Sequence, residues 1–309
     1  MALILKTDID RGDDWQTALA TLMPELEVRD WAAPGDPAAI EFALVWAPER
    51  GALGRFPNLK AIFSIGAGID HLASDPNLPA GVPVVRMVEP GLSAGMVEFV
   101  VMSALYHHRF MLDYAAQQRD KAWREIAQIP TSRRRVGVMG LGVLGGACAA
   151  ALPRFGFPVA GWSRTLKTQA DVTVFHGADG LIPFLNRCDI LVCLLPLTAE
   201  TQGILNADTF AALPRGAALI SVGRGGHTVE ADLLAALDSG QIGGATLDVF
   251  RDEPLPPESP FWNHPRVVVT PHIASMTIAE TAAEAVIENI RRVRAGQAPA
   301  PIVDLARGY

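Results

Sequence analysis

The chain has few cysteines, few aromatic residues and little charge. Its three cysteines, Cys148, Cys188 and Cys193, are odd in number and lack metal-ligand spacing, which argues against a disulfide framework or a structural metal module. No metal is expected, and the thiols are read as reduced and buried in a cytoplasmic protein. Charged residues make up 19% of the chain and the net charge is −7, so neither a disordered polar chain nor a phosphate-backbone binder fits. The basic cluster Arg133-Arg134-Arg135 is too short to reverse that reading. An uncharged stretch at 136–153 approaches membrane-spanning length, but it holds Gly137, Gly140, Gly142, Gly145 and Gly146 and reads as a buried strand, tight turn and helix. The apolar start is too short for a secretion signal and is followed by Asp8 and Asp10. Neither nucleic acid nor membrane is an expected partner.

What is abundant is apolar material, half of the 309 residues, enough for two domains. Short apolar runs alternate with helical patterns, which predicts an α/β protein with parallel sheets. Strands are predicted at 2–5, 27–31, 42–46, 61–64 and 82–85, with a helix at 13–22. A second series follows at 135–139, 159–162, 190–194, 218–222, 245–249 and 267–270, with helices near 146–154, 181–187 and 229–239. Two doubly wound parallel-sheet domains result. An apolar helix at 96–111 lies between the series and suggests a homodimer contact. The amphipathic pattern at 278–294 carries the chain back to the first domain, giving 1–97 plus 280–309 for one unit and 98–279 for the other.

The turn Gly140-Leu141-Gly142-Val143-Leu144-Gly145 directly follows an apolar strand and opens an alanine-rich helical run. In that context Gly140 permits the tight turn, Gly142 admits a pyrophosphate to the backbone, and Gly145 lets helix and strand pack closely. The amides at the helix start, around Val143 and Leu144, face the phosphates. An NAD-preferring site places an acid about 20 residues further on. This chain has Ser163-Arg164-Thr165 there, a pair of donors that suits a 2′-phosphate which a carboxylate would repel. NADPH is therefore the expected cofactor, with NADH the alternative. Leu195, Pro196, Val222 and Gly223 are further expected cofactor contacts.

Further neighbourhoods carry chemistry. They are Gly66-Ala67-Gly68-Ile69-Asp70, Ser221-Val222-Gly223-Arg224-Gly225, Leu247-Asp248-Val249-Phe250 through Glu253-Pro254-Leu255-Pro256, and Thr270-Pro271-His272-Ile273-Ala274-Ser275. In order and content they resemble the D-isomer-specific 2-hydroxyacid dehydrogenase family, most of all its glyoxylate and hydroxypyruvate reductase A branch. The resemblance spans nearly the whole chain and implies a flavodoxin-like substrate domain followed by a Rossmann dinucleotide-binding domain. It implies that His272 is the acid, Glu253 its carboxylate partner and Arg224 the fork that holds the substrate carboxylate and polarises its carbonyl. It also implies that Ala67, Gly68 and Ile69 offer backbone amides to that carboxylate, and that Asp248 hydrogen-bonds the nicotinamide carboxamide. Trp46 is expected to wall the substrate pocket. Chemistry supports the set independently, because reducing a 2-keto acid needs a hydride, a proton for the oxygen and a fixed carboxylate.

Many relatives have Asn where Ser221 stands; a serine there is expected to hydrogen-bond locally. The remaining histidines, His71, His107, His108, His176, His227 and His264, are read as structural or exposed. The expected activity is NADPH-dependent reduction of small 2-keto acids. The alternatives are a broader 2-hydroxyacid or phosphoglycerate-type dehydrogenase and, in a different class, a nucleotide-sensing corepressor.

Overall fold

The computed structural model describes residues 1–7 and 12–305, and the chain divides into two compact units, Met1–Leu92 with Met276–Tyr309, and Ser93–Ser275. Asp8 and Asp10, which entered the reading of the N-terminus, lie outside the described residues.

The first unit runs β1 (Ala2–Lys6), α1 (Gly12–Leu22), β2 (Glu27–Asp30), β3 (Ile40–Val45), β4 (Ala61–Ser64), the short α2 (Asp70–Ala73) and β5 (Val84–Val85). Their order in the sheet is β2-β1-β3-β4-β5 with every pairing parallel, the flavodoxin-like arrangement. The central strands are buried along their length because helices and loops cover both faces, which is why they read as continuous apolar runs rather than alternating ones. A long helix, α3 (Pro90–His108), begins at the end of this unit, where the buried Glu89 carboxylate accepts from the amides of Gly91 and Leu92. It starts earlier than the apolar pattern at 96–111 suggests and ends at His108, and Phe110, with φ of 58°, turns the chain into a second helix, α4 (Met111–Arg119).

The second unit continues with β6 (Val136–Met139), α5 (Val143–Ala151), β7 (Val159–Ser163), β8 (Val172–His176), α6 (Leu181–Leu185), β9 (Ile190–Cys193) and α7 (Ala207–Ala212). It ends with β10 (Ala217–Ser221), α8 (Glu230–Asp238), β11 (Ile242–Leu247) and β12 (Val267–Val269). Seven parallel strands stand in the order β12-β11-β10-β9-β6-β7-β8. The order reverses between β6 and β9, so the switch point of this doubly wound sheet falls beside the glycine turn that follows β6. One apolar cluster, including Phe184, Leu185, Phe210 and Phe261, fills one side of the sheet. Another, including Phe99, Val100, Cys148 and Leu152, brings α3 and α5 onto the other.

The last helix, α9 (Ala279–Arg294), returns to the first unit. Ala282, Ala283, Val286, Ile287 and Ile290 recur at helical spacing and join Trp15 and Leu19 of α1 in one core. All three cysteines are buried and free, and burial pushes each thiol up to about 12. Among the described residues no helix is long and apolar enough to cross a membrane.

Candidate active site

In the second unit the residues singled out from the sequence converge at the carboxyl ends of the strands: Gly140 after β6, Ser163 closing β7, Leu195 after β9, Val222 after β10, Asp248 after β11 and His272 after β12. In an open parallel sheet that edge is where ligands bind, at the point where strand order reverses.

The glycine turn fits a dinucleotide on steric grounds. Gly140 has φ of 99°, and a Cβ on it would stand 2.5 Å from the Leu194 carbonyl oxygen. A Cβ on Gly145 would overlap the Gly140 carbonyl at 1.8 Å, so helix α5 lies against the turn more closely than any other residue allows. A Cβ on Gly142, in contrast, would meet nothing within 4 Å. That opening sits at the N-cap of α5, which has no side-chain cap, so the amides of Val143 and Leu144 are left to an incoming anion. Ser163 is buried and donates its hydroxyl to the Thr165 carbonyl at 2.7 Å, closing the loop that holds Arg164 at its rim. Arg164 is half exposed and sits 3.4 Å from Glu200, a long surface ion pair worth little.

His272 and Glu253 meet, with imidazole Nδ1 2.8 Å from the Glu253 carboxylate. The other Glu253 oxygen accepts from the Phe250 amide at 2.9 Å. Burial opposes ionisation of Glu253, but the His272 hydrogen bond, the Phe250 amide and the positive charges of His272 and Arg224 together hold its carboxyl below the ordinary value. That effect also places the Arg224 charge near the pair. Arg224 itself rises from an extended residue between two glycines and donates Nη1–H to the Gly223 carbonyl at 2.8 Å. A Cβ on Gly225 would coincide with the Phe250 carbonyl at 1.8 Å, so this turn packs directly on the segment leading to Glu253.

His272 adopts φ of 55°, an unfavourable region for a residue with a side chain. Asp248 secures it. The Asp248 carbonyl accepts from the His272 amide at 2.9 Å, and its carboxylate accepts from Thr270 Oγ1, Ile273 N and Ala274 N at 2.6–2.9 Å. Only 1% exposed, Asp248 is committed to the turn that carries His272, a role the motif alone does not suggest. Burial pushes its carboxyl up, against those three hydrogen bonds and the nearby His272 charge. Ser221 differs from expectation, because its fully buried hydroxyl has no hydrogen-bond partner among the described residues.

In the first unit Ala67, Gly68 and Ile69 form the link from β4 to α2, with Ser64 Oγ donating to the Gly68 carbonyl at 3.2 Å. Trp46, directly after β3, packs on this loop: a Cβ on Gly66 would lie 2.6 Å from its ring. The indole also meets His71, their ring centroids 4.6 Å apart. Among the histidines set aside, His107 contacts Thr246 at 2.9 Å and is pushed down to about 4 by burial, then by the charges of Arg266 and Arg134. His227 is fully buried and bonds with the Arg224 turn, and no sequence signal distinguished it.

A glycine turn at the switch point of a doubly wound sheet, with an imidazole–carboxylate pair and an arginine at the same edge, is the layout of a dinucleotide-dependent oxidoreductase. Comparison with known proteins narrows the class. Residues 101–274 match the model of the D-isomer specific 2-hydroxyacid dehydrogenase NAD binding domain. Over 100% of both chains, the sequence is 42% identical to glyoxylate/hydroxypyruvate reductase A of Yersinia enterocolitica. A D-isomer specific 2-hydroxyacid dehydrogenase from Xanthobacter autotrophicus Py2, crystallised with NADPH and MES, is 46% identical with a TM-score of 0.96, covering 100% of this chain and 99% of that one. An NADPH-dependent glyoxylate/hydroxypyruvate reductase from Sinorhizobium meliloti, crystallised with NADP and sulfate, is 41% identical with a TM-score of 0.94, over 100% and 99% of the two chains. The chain belongs to the D-isomer specific 2-hydroxyacid dehydrogenase family.

Proposed function

We propose that this enzyme reduces small 2-keto acids, glyoxylate and hydroxypyruvate foremost, with NADPH. The observation that carries the reading is the 2.8 Å pairing of His272 with Glu253 on the same sheet edge as the glycine turn. The full-length relatives from Yersinia and Sinorhizobium, both named as glyoxylate/hydroxypyruvate reductases, support the substrate class.

When bound, NADPH would supply the hydride for the carbonyl carbon. The turn Gly140–Gly145 and the amides of Val143 and Leu144 would hold the pyrophosphate, Leu195, Pro196, Val222 and Gly223 would contact the rest of the dinucleotide, and Arg164 beside Ser163 and Thr165 would take the 2′-phosphate. Arg224 binds the substrate carboxylate and draws electron density from its ketone; in the first unit, the Ala67, Gly68 and Ile69 loop offers backbone amides suited to a carboxylate, with Trp46 beside them as a limit on substrate size. With Nδ1 held by Glu253, His272 delivers its proton from Nε2 to the carbonyl oxygen as negative charge develops there. The ring leaves that step neutral and regains a proton from solvent. Asp248 keeps the imidazole in register through the 270–274 turn. Its carboxylate already accepts three hydrogen bonds and has about one acceptor direction left for the carboxamide.

The unit boundaries support a substrate domain built from the first unit and a dinucleotide domain from the second. The apolar helix α3 supports a homodimer, and the net charge of −7 supports a protein that does not bind nucleic acid. Buried thiols support a reducing, cytoplasmic setting. The test is NADPH oxidation followed at 340 nm with a panel of 2-keto acids. Turnover with glyoxylate and hydroxypyruvate at a higher kcat/KM than with branched or phosphorylated keto acids is the expected result. Preference for a phosphorylated acid, or no turnover of any keto acid, contradicts the proposal.

A further inference from the structure

We infer that His227 is a positioning residue that sets the Arg224 turn against the Pro196 loop; the inference rests on the roles given above to Arg224 and Pro196. The side chain is fully buried at the end of the short turn Gly225–His227. Its Nδ1 lies 3.1 Å from the Arg224 amide, and its Nε2 lies 3.2 Å from the Pro196 carbonyl. An amide only donates and a carbonyl only accepts. The ring is therefore neutral, bare at Nδ1 and protonated at Nε2, with one nitrogen directed to each loop.

The backbone around it is held without the imidazole. Gly203 N donates to Gly226 O, Leu205 N to His227 O and His227 N to Arg224 O, at 2.9–3.1 Å. The two ring contacts are thus additional to the backbone bonds that fasten this turn to Gly203 and Leu205. The Pro196 carbonyl also accepts from Thr201 Oγ1 at 2.6 Å, so the ring is one of two donors to it. Gly223 completes the arrangement, since a Cβ there would stand 3.1 Å from the same ring. Through the Nδ1 contact His227 fixes the Arg224 backbone: it sets where the guanidinium begins, and so how it meets a carboxylate.

Two near-isosteres separate the two contacts. In H227N the side-chain oxygen falls near the place of Nδ1 and keeps the Arg224 bond; in H227Q the amide nitrogen falls near Nε2 and keeps the Pro196 bond. H227N is expected to hold kcat for glyoxylate within about threefold of the parent, whereas H227Q loses about tenfold or more with NADPH Kd little changed, the pattern of a misaligned transition-state contact. Hydrogen exchange at the Arg224 amide, read by NMR, needs no turnover: protection is expected in the parent and H227N, with exchange about tenfold faster or more in H227Q. Equal protection in all three, or full kcat in H227Q, overturns the inference. Absence of glyoxylate turnover in the parent counts against the proposed function alone, leaving the exchange measurement to decide this one. If H227Q does not fold, loss of Arg224 amide protection in H227N is the contradicting result.

Discussion

The carbonyl of Asp248 accepts the amide of His272 at 2.9 Å while the Asp248 carboxylate gathers the next two amides of the same turn. One buried residue thereby holds a positive-φ histidine in place. Asp248→Asn presents an NH2 group to donors that need an acceptor, so it should cost about 1–3 kcal/mol by chemical denaturation and lower kcat together with it. Unchanged stability and turnover in D248N would show that the turn holds itself.

Cofactor choice provides a second prediction. Arg164→Ala should raise KM for NADPH by about tenfold, as loss of a charge-assisted phosphate contact does, and leave KM for NADH nearly untouched. Ser163→Asp should reverse the preference. Equal effects on both cofactors in R164A would remove Arg164 from the phosphate site.

The Glu253 carboxyl has a folded-state value below its ordinary one, in spite of burial, because of the His272 and Phe250 hydrogen bonds and the nearby cations. A depressed carboxyl contributes stability above its unfolded value and loses it as pH falls through the folded one. The stability difference between the parent and E253Q should therefore be present at about pH 6 and shrink toward about pH 3, followed by thermal unfolding. A difference that grows on acidification contradicts the pairing.

Ser221 buries a hydroxyl with no partner among the described residues. Ser221→Ala removes that unpaired group at almost no change in volume, so stability should stay equal or rise by up to about 1 kcal/mol. A loss greater than that would reveal a hydrogen bond Ser221 makes in solution.

Both sheets were legible because parallel strands covered on two faces are written as unbroken apolar runs, and the glycine turn because its sterics demand glycine at Gly140 and Gly145. Strand β8 was not, since it lies at the sheet edge with Thr173 and His176 exposed and carries no such run. Helix α4 escaped because the apolar pattern runs on through the break at Phe110, whose left-handed backbone leaves no mark in its residue type. At the candidate site Arg224, Glu253 and His272 could be singled out by their neighbourhoods. What Asp248 and His227 do could not, because each acts through the backbone of another residue, and a hydrogen bond to a main-chain amide requires no pattern in the chain.

The central claim is that His272, oriented by Glu253, gives the proton that accompanies hydride transfer. Single-turnover reduction of glyoxylate by the preformed NADPH complex, followed by stopped flow in the parent and in H272Q, tests it most directly. The expected result is a rate lower by about 10²–10⁴-fold in H272Q with NADPH Kd unchanged, the range for loss of a general acid. Hydride transfer in H272Q at nearly the parental rate would contradict it.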